Sequence, residues 1–285
     1  MRKYSIGLYE KAMPDFLNWR EKLEAAKKAG YDFVEMSIDE TDTKLERLNM
    51  NKNERLELIK IMYNVGIPIR SMCLSGHRKY PMGSNNPEIC KRSMEIMEKA
   101  ILLADDLGIR IIQLAGYDVY YEDSSAETRK RFEENLNKAV MMAACKGIIL
   151  AFETMETEFM NTVSKSMNYV RMMRSPYLHI YPDSGNITNA AVSYGTDVLD
   201  DIKSGQGHMV AMHLKESKPG IFREVPYGSG HVNFENVIKT AWKMGIRRFV
   251  TEFWYKGSKE WMDDLYTAHD MMTQILNKQQ ESEFS

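Results

Sequence analysis

Cysteine is scarce: Cys73, Cys90 and Cys145 are the only three in 285 residues. An odd number at wide spacing excludes a disulfide framework and a zinc knuckle. The thiols are expected to be reduced, as in a cytoplasmic protein. Long apolar runs are lacking. None reaches the roughly 18 residues that span a bilayer, and "MRKYSIGLYEKAMPDF" has a basic start without the apolar stretch of a signal peptide. Charge of one sign is lacking too: 38 Lys and Arg face 40 Asp and Glu, a net charge of −2. That balance excludes a surface built to coat nucleic acid or an anionic membrane. No linker, low-complexity block or composition shift divides the chain. One domain over 1–285 is expected, its polar tail "NKQQESEFS" (277–285) frayed. Methionine is abundant, at 22 residues, and reads as core filler.

One phrase recurs: a helical pattern, then glycine, then a β-rich run. It appears as "EAAKKAGYDFVEM" (24–36), "KIMYNVGIPIRSM" (60–72), "LLADDLGIRIIQL" (102–114), "AVMMAACKGIILAF" (139–152) and "IKTAWKMGIRRFV" (238–250). Each glycine suits the left-handed end of a helix. Three further strands, "KYSIGLY" (3–9), "YLHIYPD" (177–183) and "GHMVAMHL" (207–214), lack the phrase. Asp15 and Ser124 or Ser125 are expected helix N-caps. Eight strands alternating with eight helices pair in parallel through right-handed crossovers, which predicts an α/β fold, a (β/α)8 TIM barrel. A doubly wound open sheet is the alternative, and no G-x-G-x-x-G follows the first strand to favour it.

In such a barrel the chemistry sits where strands end. Strand eight, in "RRFVTEFWYK" (247–256), ends on a carboxylate, Glu252, among apolar residues. A buried carboxylate without a partner costs several kcal/mol or takes up a proton. Strands five, six and seven end in "LAFETME", "IYPDSGN" and "VAMHLKES", giving Glu153, Asp183 and His213. Any one of these alone is explained by a cap, an ion pair or an ordinary hydrogen bond. Three carboxylates converging on one barrel mouth repel one another without a cation. The four are therefore expected to hold one divalent ion, with Mn²⁺ favoured by the oxygen-rich set and Zn²⁺, Co²⁺ or Mg²⁺ as alternatives.

This pattern resembles the xylose-isomerase-like barrels. The closer likeness is to the L-ribulose-5-phosphate 3-epimerase family, also described as L-xylulose-5-phosphate 3-epimerases. It is carried by "IGLYEKA" (6–12), "SMCLSGHRKYPMGS" (71–84), "IQLAGYDVYYE" (112–122), "FETMETEFMN" (152–161), "YPDSGNI" (181–187), "HLKESKPGIFREVPYGSGHVNF" (213–234) and "TEFWY" (251–255). The resemblance implies Glu153, Asp183, His213 and Glu252 as metal ligands, and Glu153 and Glu252 as the acid–base pair. Free-ketose 3-epimerases typically place a Glu and a His where this chain has Phe159 and Asn186. That departure disfavours an unphosphorylated ketose.

Epimerisation at carbon 3 removes a proton next to a carbonyl and returns one on the other face. A metal acts as Lewis acid on the enediolate, and the two glutamates, three strands apart, flank the substrate. For the phosphate, Ser75, Gly76, His77, Arg78 and Lys79 follow strand three and offer backbone N–H groups and cations, with Lys215 as a further candidate. Arg78 and Lys79 read equally well as a solvated loop. His231 is expected to cap its loop, and His179, His208 and His269 to be structural. An aldose–ketose isomerase or a sugar dehydratase on the same scaffold is the alternative reading. It calls on a second metal site, for which Glu156, Glu158 and Glu216 are candidates. The abasic-site endonuclease branch needs more histidine ligands than this chain supplies, since most of its six histidines lie away from strand ends. A non-catalytic sugar-binding protein has no use for four intact ligands. The expected partner is a small sugar phosphate, with no nucleic acid and no membrane. The amphipathic "SKEWMDDLYTAHDMMTQIL" (258–276) packs on the barrel and is available for a homodimer contact.

Overall fold

The computed structural model describes residues 2–283. Its elements run β1 (Ser5–Tyr9), α1 (Trp19–Lys28), β2 (Phe33–Ile38), α2 (Asp42–Glu46), α3 (Lys52–Val65), β3 (Ile69–Leu74), α4 (Pro87–Leu107) and β4 (Ile111–Ala115). They continue α5 (Ala126–Lys146), β5 (Ile149–Glu153), α6 (Val163–Met173), β6 (Leu178–Ile180), α7 (Ser184–Tyr194), α8 (Val198–Ser204), β7 (Met212–Leu214), α9 (Phe234–Lys243), β8 (Arg248–Thr251) and α10 (Trp261–Ser282). All named strand pairs are parallel, in the order β6-β5-β4-β3-β2-β1-β8-β7. Bridges Ile180–Met209 and Asp183–His213 join β6 to the β7 side and close the ring. The eight strands form the expected (β/α)8 barrel.

The five repeat glycines all have positive φ, from 65° at Gly147 to 92° at Gly245. Each lets a helix stop so that the next strand starts at once. Along the strands, side chains alternate between two cores. Val34, Met36, Met72, Ile112, Leu150 and Phe249 face the helices. Tyr9, Phe33, Cys73, Ile111, Ala151, Tyr181, Ala211 and Val250 fill the lumen. The Phe33 ring lies over Gly7, where a Cβ would sit 2.3 Å from it, so the lumen floor requires glycine there.

Three expectations need correction. Ten α-helices, not eight, occur among the described residues, because α2 and α8 add short turns before α3 and β7. The N-cap of α1 is Asn18, in a capping box with Glu21; Asp15 is exposed and pairs with Lys44 at 3.3 Å. Ser125 caps α5, with Thr128 reciprocating. The tail is helical to Ser282, and Gln280 and Glu283 tie it to Lys3, Trp242 and Arg247. Residues 284 and 285 of that tail lie outside the described residues.

Candidate active site

Glu153 is the last residue of β5, His213 the centre of β7, and Glu252 follows β8 directly. Asp183 lies past β6 as the N-cap of α7, where its Oδ1 accepts from Asn186 N at 2.7 Å. One ligand atom from each of the four lies within 4.8 Å of the others, and all four residues are buried. Lys215 Nζ, also buried, donates to Asp183 Oδ1 at 3.1 Å and to Asn186 Oδ1 at 2.9 Å. Asp183 Oδ2 and Glu252 Oε2 are buried without a hydrogen-bond partner. Glu252 Oε2 lies 2.5 Å from His213 Nδ1 but is not aligned for a hydrogen bond. Orphaned carboxylate oxygens are costly inside a protein. Three carboxylates and one imidazole, aimed at one point with lone pairs to spare, fit a divalent cation.

The environments of the carboxylates differ. Burial raises Glu153, and the Glu252 carboxylate adds to the shift. Burial also pushes Asp183 up to about 8 against the pull of Lys215. At Glu252, burial acts the same way, but Lys215 and His213 outweigh it and hold the carboxyl well below its usual range. Lys215 is raised because Asp183, Glu252 and Glu153 overcome the effect of its own burial.

The pocket above the cluster is lined by Tyr9, Lys11, Cys73, Ser75, Arg78, Glu156, Lys215, Arg223 and Trp254, among others. A larger hollow of about 700 Å³ lies outside the barrel between α6, α7 and α8, walled by residues such as Lys165, Tyr194 and Asp201. It holds none of the strand-end ligands, so its size does not mark it as the site.

The loop after β3 is a single 3₁₀ turn over Ser75–Arg78. In that geometry residues three apart stack on one side. Ser75 and Arg78 accordingly both line the pocket. Arg78 lies against the rings of Tyr117 and Tyr120, and its Nε is buried without a partner. His77 turns the other way, with Nε2 at 3.2 Å from the Ser93 carbonyl of α4. Burial pulls His77 down to about 4, so it is neutral near pH 7. Gly76 packs beside Leu45, and Lys79 is at the surface, 3.8 Å from Asp42.

Glu156 lines the pocket, accepting from Tyr117 at 2.6 Å, with Arg223 at 3.6 Å. Phe159 packs instead with Phe132 and Tyr169, and Glu156 is the carboxylate of this loop that reaches the pocket. Asn186 sits in the pocket beside Lys215. Glu216 accepts from Gly228 N and Val232 N and organises the loop after β7. Gly230 crosses so close to it that a Cβ would lie 2.3 Å from Glu216 Oε1. Glu158 is exposed. Among the described residues, only the strand-end quartet forms a metal-competent cluster. His231 ties the same loop through Ser217 at 2.9 Å. His179 stacks near His208, and His269 packs on Tyr31.

The sequence reading missed Lys11, Arg223 and, beneath the quartet, Glu35. Glu35 is wholly buried on β2, 2.5 Å from His213 Nε2. A carboxylate inside the apolar run "FVEMSI" was its available signal.

Comparison with known proteins agrees with this architecture. The family model described as xylose isomerase-like TIM barrel matches residues 23–274. The L-ribulose-5-phosphate 3-epimerase UlaE of Escherichia coli (strain SMS-3-5) is 41% identical over 278 residues, spanning 97% of this chain and 96% of that relative. SgbU of Escherichia coli (strain K12) is 46% identical over 267 residues, spanning 91% and 92%. Among solved structures, a D-tagatose 3-epimerase-like protein has a TM-score of 0.79 at 16% identity, with 98% and 99% of the two chains covered. An L-ribulose 3-epimerase has a TM-score of 0.78 at 17% identity, with 98% and 97% covered. At such identities the structural likeness bears on the fold alone, whereas the sequence relatives set the family. No described helix is long and apolar enough to cross a membrane. The chain belongs to the xylose isomerase-like TIM-barrel family, among the L-ribulose-5-phosphate 3-epimerases, and is an isomerase-class enzyme.

Proposed function

We propose that the chain interconverts L-xylulose 5-phosphate and L-ribulose 5-phosphate by epimerisation at carbon 3. One observation carries the reading. Two buried glutamates, Glu153 and Glu252, share one ligand cluster, and their surroundings move their proton affinities in opposite directions. Paired carboxyl groups pushed apart in this way are suited to act as acid and base. The relatives, L-ribulose-5-phosphate 3-epimerases, supply the substrate class.

The C3 proton is acidic because it neighbours the C2 carbonyl. Glu153, Asp183, His213 and Glu252 would hold a divalent ion, with Mn²⁺ favoured, which supplies Lewis acidity toward the substrate oxygens when bound. Glu252, ionised beside Lys215 and His213, takes the C3 proton from one face. Glu153, whose proton affinity burial and the Glu252 carboxylate raise, serves as the acid and returns a proton to the other. One proton leaves carbon 3 and one arrives, so the two glutamates end with exchanged protonation. That end state is the starting state for the reverse direction, and exchange with water resets it for another forward turnover. Such acid–base help is worth roughly 10²–10⁴-fold. Ser75 and Arg78, on one side of the 3₁₀ turn, are the proposed phosphate ligands, with Lys11 and Lys215 as further cations in the pocket. Free thiols at Cys73, Cys90 and Cys145 agree with a cytoplasmic setting.

The test is proton NMR in D₂O. Protein with Mn²⁺ and L-ribulose 5-phosphate is expected to place deuterium at C3 and to produce L-xylulose 5-phosphate. Glu252→Gln is expected to lose the epimer. A wild-type protein that binds one metal ion and exchanges nothing at C3 would refute the reaction while leaving the metal centre standing.

A further inference from the structure

We propose that Glu35 is the positioning residue of the metal centre, holding His213 through Nε2–H so that Nδ1 faces the other three ligands. The inference rests on the metal reading of the cluster. An imidazole has two nitrogens, and only the one without a proton can serve as a ligand. Which one that is depends on what the other bonds to. The His213 ring is set between two groups, one carried by β2 and one by the end of β8. Its Nε2 lies 2.5 Å from Glu35 Oε1, on β2. Its Nδ1 lies 2.5 Å from Glu252 Oε2 and 3.7 Å from Glu153 Oε1. Gln113 cannot make the choice, because its Nε2 is 3.2 Å from both ring nitrogens.

Glu35 is itself held. Its Oε2 accepts from Ser71 Oγ at 2.6 Å and from the Tyr181 hydroxyl at 3.0 Å. The Tyr181 ring packs edge-on against the imidazole, 4.9 Å between centroids. Among the described residues, Glu35 has no Lys or Arg partner, although its exposure is 0%. A wholly buried carboxylate whose partners are two hydroxyls and one imidazole is poorly explained as a stability device. It is well explained as the acceptor that fixes a ligand's orientation, and it sits one layer below the quartet, on a rigid strand.

The test measures metal binding rather than turnover. Mn²⁺ is titrated into metal-free protein and the free ion is followed by EPR. Glu35→Leu is expected to weaken Mn²⁺ about 10–100-fold. Glu35→Gln keeps an amide oxygen for Nε2–H and is expected to recover most of that loss. Tyr181→Phe and Ser71→Ala are expected to fall between wild type and Glu35→Leu. Wild-type affinity in a folded Glu35→Leu protein would overturn the proposal. If Glu35→Leu does not fold, the isosteric Glu35→Gln and long-range ¹⁵N NMR of Zn²⁺-loaded wild type decide it. A proton on His213 Nε2 with the metal on Nδ1 is expected, and the reverse arrangement overturns it. Wild-type protein that binds no Mn²⁺ would instead remove the metal centre, and this inference with it.

Discussion

Two buried charge clusters sit close to the barrel mouth and are built on opposite plans. At the end of β1, Glu10 is wholly buried and meets three cations: Lys22 at 2.7 Å, Lys44 at 2.8 Å, and Arg47, which reaches both oxygens at 2.6 and 2.7 Å. The backbone N–H of Ser37 adds a further donor at 2.9 Å, and Trp19 lies under Lys22 and Arg47. No oxygen of Glu10 lacks a partner. At the ends of β5 to β8 the balance is reversed: three carboxylates face Lys215 and His213, and two carboxylate oxygens are left over. A cluster that satisfies every atom holds structure together. A cluster with surplus buried lone pairs is unfinished until a ligand arrives.

The sharpest way to break this contrast is the same substitution in both clusters. Glu252→Gln removes the proposed base, and epimerisation is expected to fall by at least about 10²–10⁴-fold, read from the rate of L-xylulose 5-phosphate formation. Glu10→Gln reverses the pattern. It strands buried Lys22 without an anion, and breaking a buried pair this way costs about 3–5 kcal/mol. Calorimetry is expected to show a fall in Tm of about 10 °C, with kcat near wild type below the transition. A Glu10→Gln protein that melts normally would dissolve the distinction.

The same anion gives the pH dependence its sign. The cations and Ser37 outweigh burial and hold Glu10 below its ordinary 4.5 in the folded state. Its contribution is therefore complete above about pH 4.5 and is lost as pH falls through the lower folded-state value. Between pH 4.5 and 2, wild type is expected to lose stability faster than Glu10→Gln, so their Tm values converge on acidification.

The contrast also explains what could be read from sequence. The quartet was legible because the repeat places strand ends, and strand ends in a barrel converge whatever the loops do. Glu35 carries the same anomaly as Glu252, a carboxylate in an apolar strand. It stands in mid-strand, where alternation alone does not say whether it faces the lumen or a helix. Glu10 was hidden because its cations come from α1, α2 and the turn after α2, which no local pattern brings together. In "SGHRK" the residue types suggested an anion site, but the direction of each side chain depends on the turn being 3₁₀. The frayed tail failed for a related reason: polar residues at 277–282 extend α10 and find partners at the start of the chain.

Removing the ion tests the claim that the second cluster is unfinished. With free Mn²⁺ at a hundred times its Kd, binding stabilises the folded state by about 2.7 kcal/mol. That corresponds to a rise in Tm of roughly 5–10 °C. EDTA is expected to abolish the rise, as is Asp183→Asn. Glu10→Gln is expected to retain the full shift from its lower baseline. A shift that survives Asp183→Asn would place the ion elsewhere.

Arg78 belongs to neither plan, which makes it the finest test of the comparison. It is a pocket cation with one buried nitrogen unpartnered, yet its charge is held by Tyr117 and lies near Glu156. If the missing partner is the substrate phosphate, Arg78→Ala forfeits a charge-assisted contact worth about 1.5–3 kcal/mol. KM for L-ribulose 5-phosphate then rises about 10–100-fold, while KM for unphosphorylated L-ribulose barely moves. Lys79, next in sequence, faces solvent beside Asp42, and Lys79→Ala is expected to change either KM by less than about twofold. Equal effects from the two neighbours would mean that the phosphate is held by the general positive field of the loop. A large effect from Arg78 alone would mean that the 3₁₀ turn selects one cation for the pocket and sends the other to water.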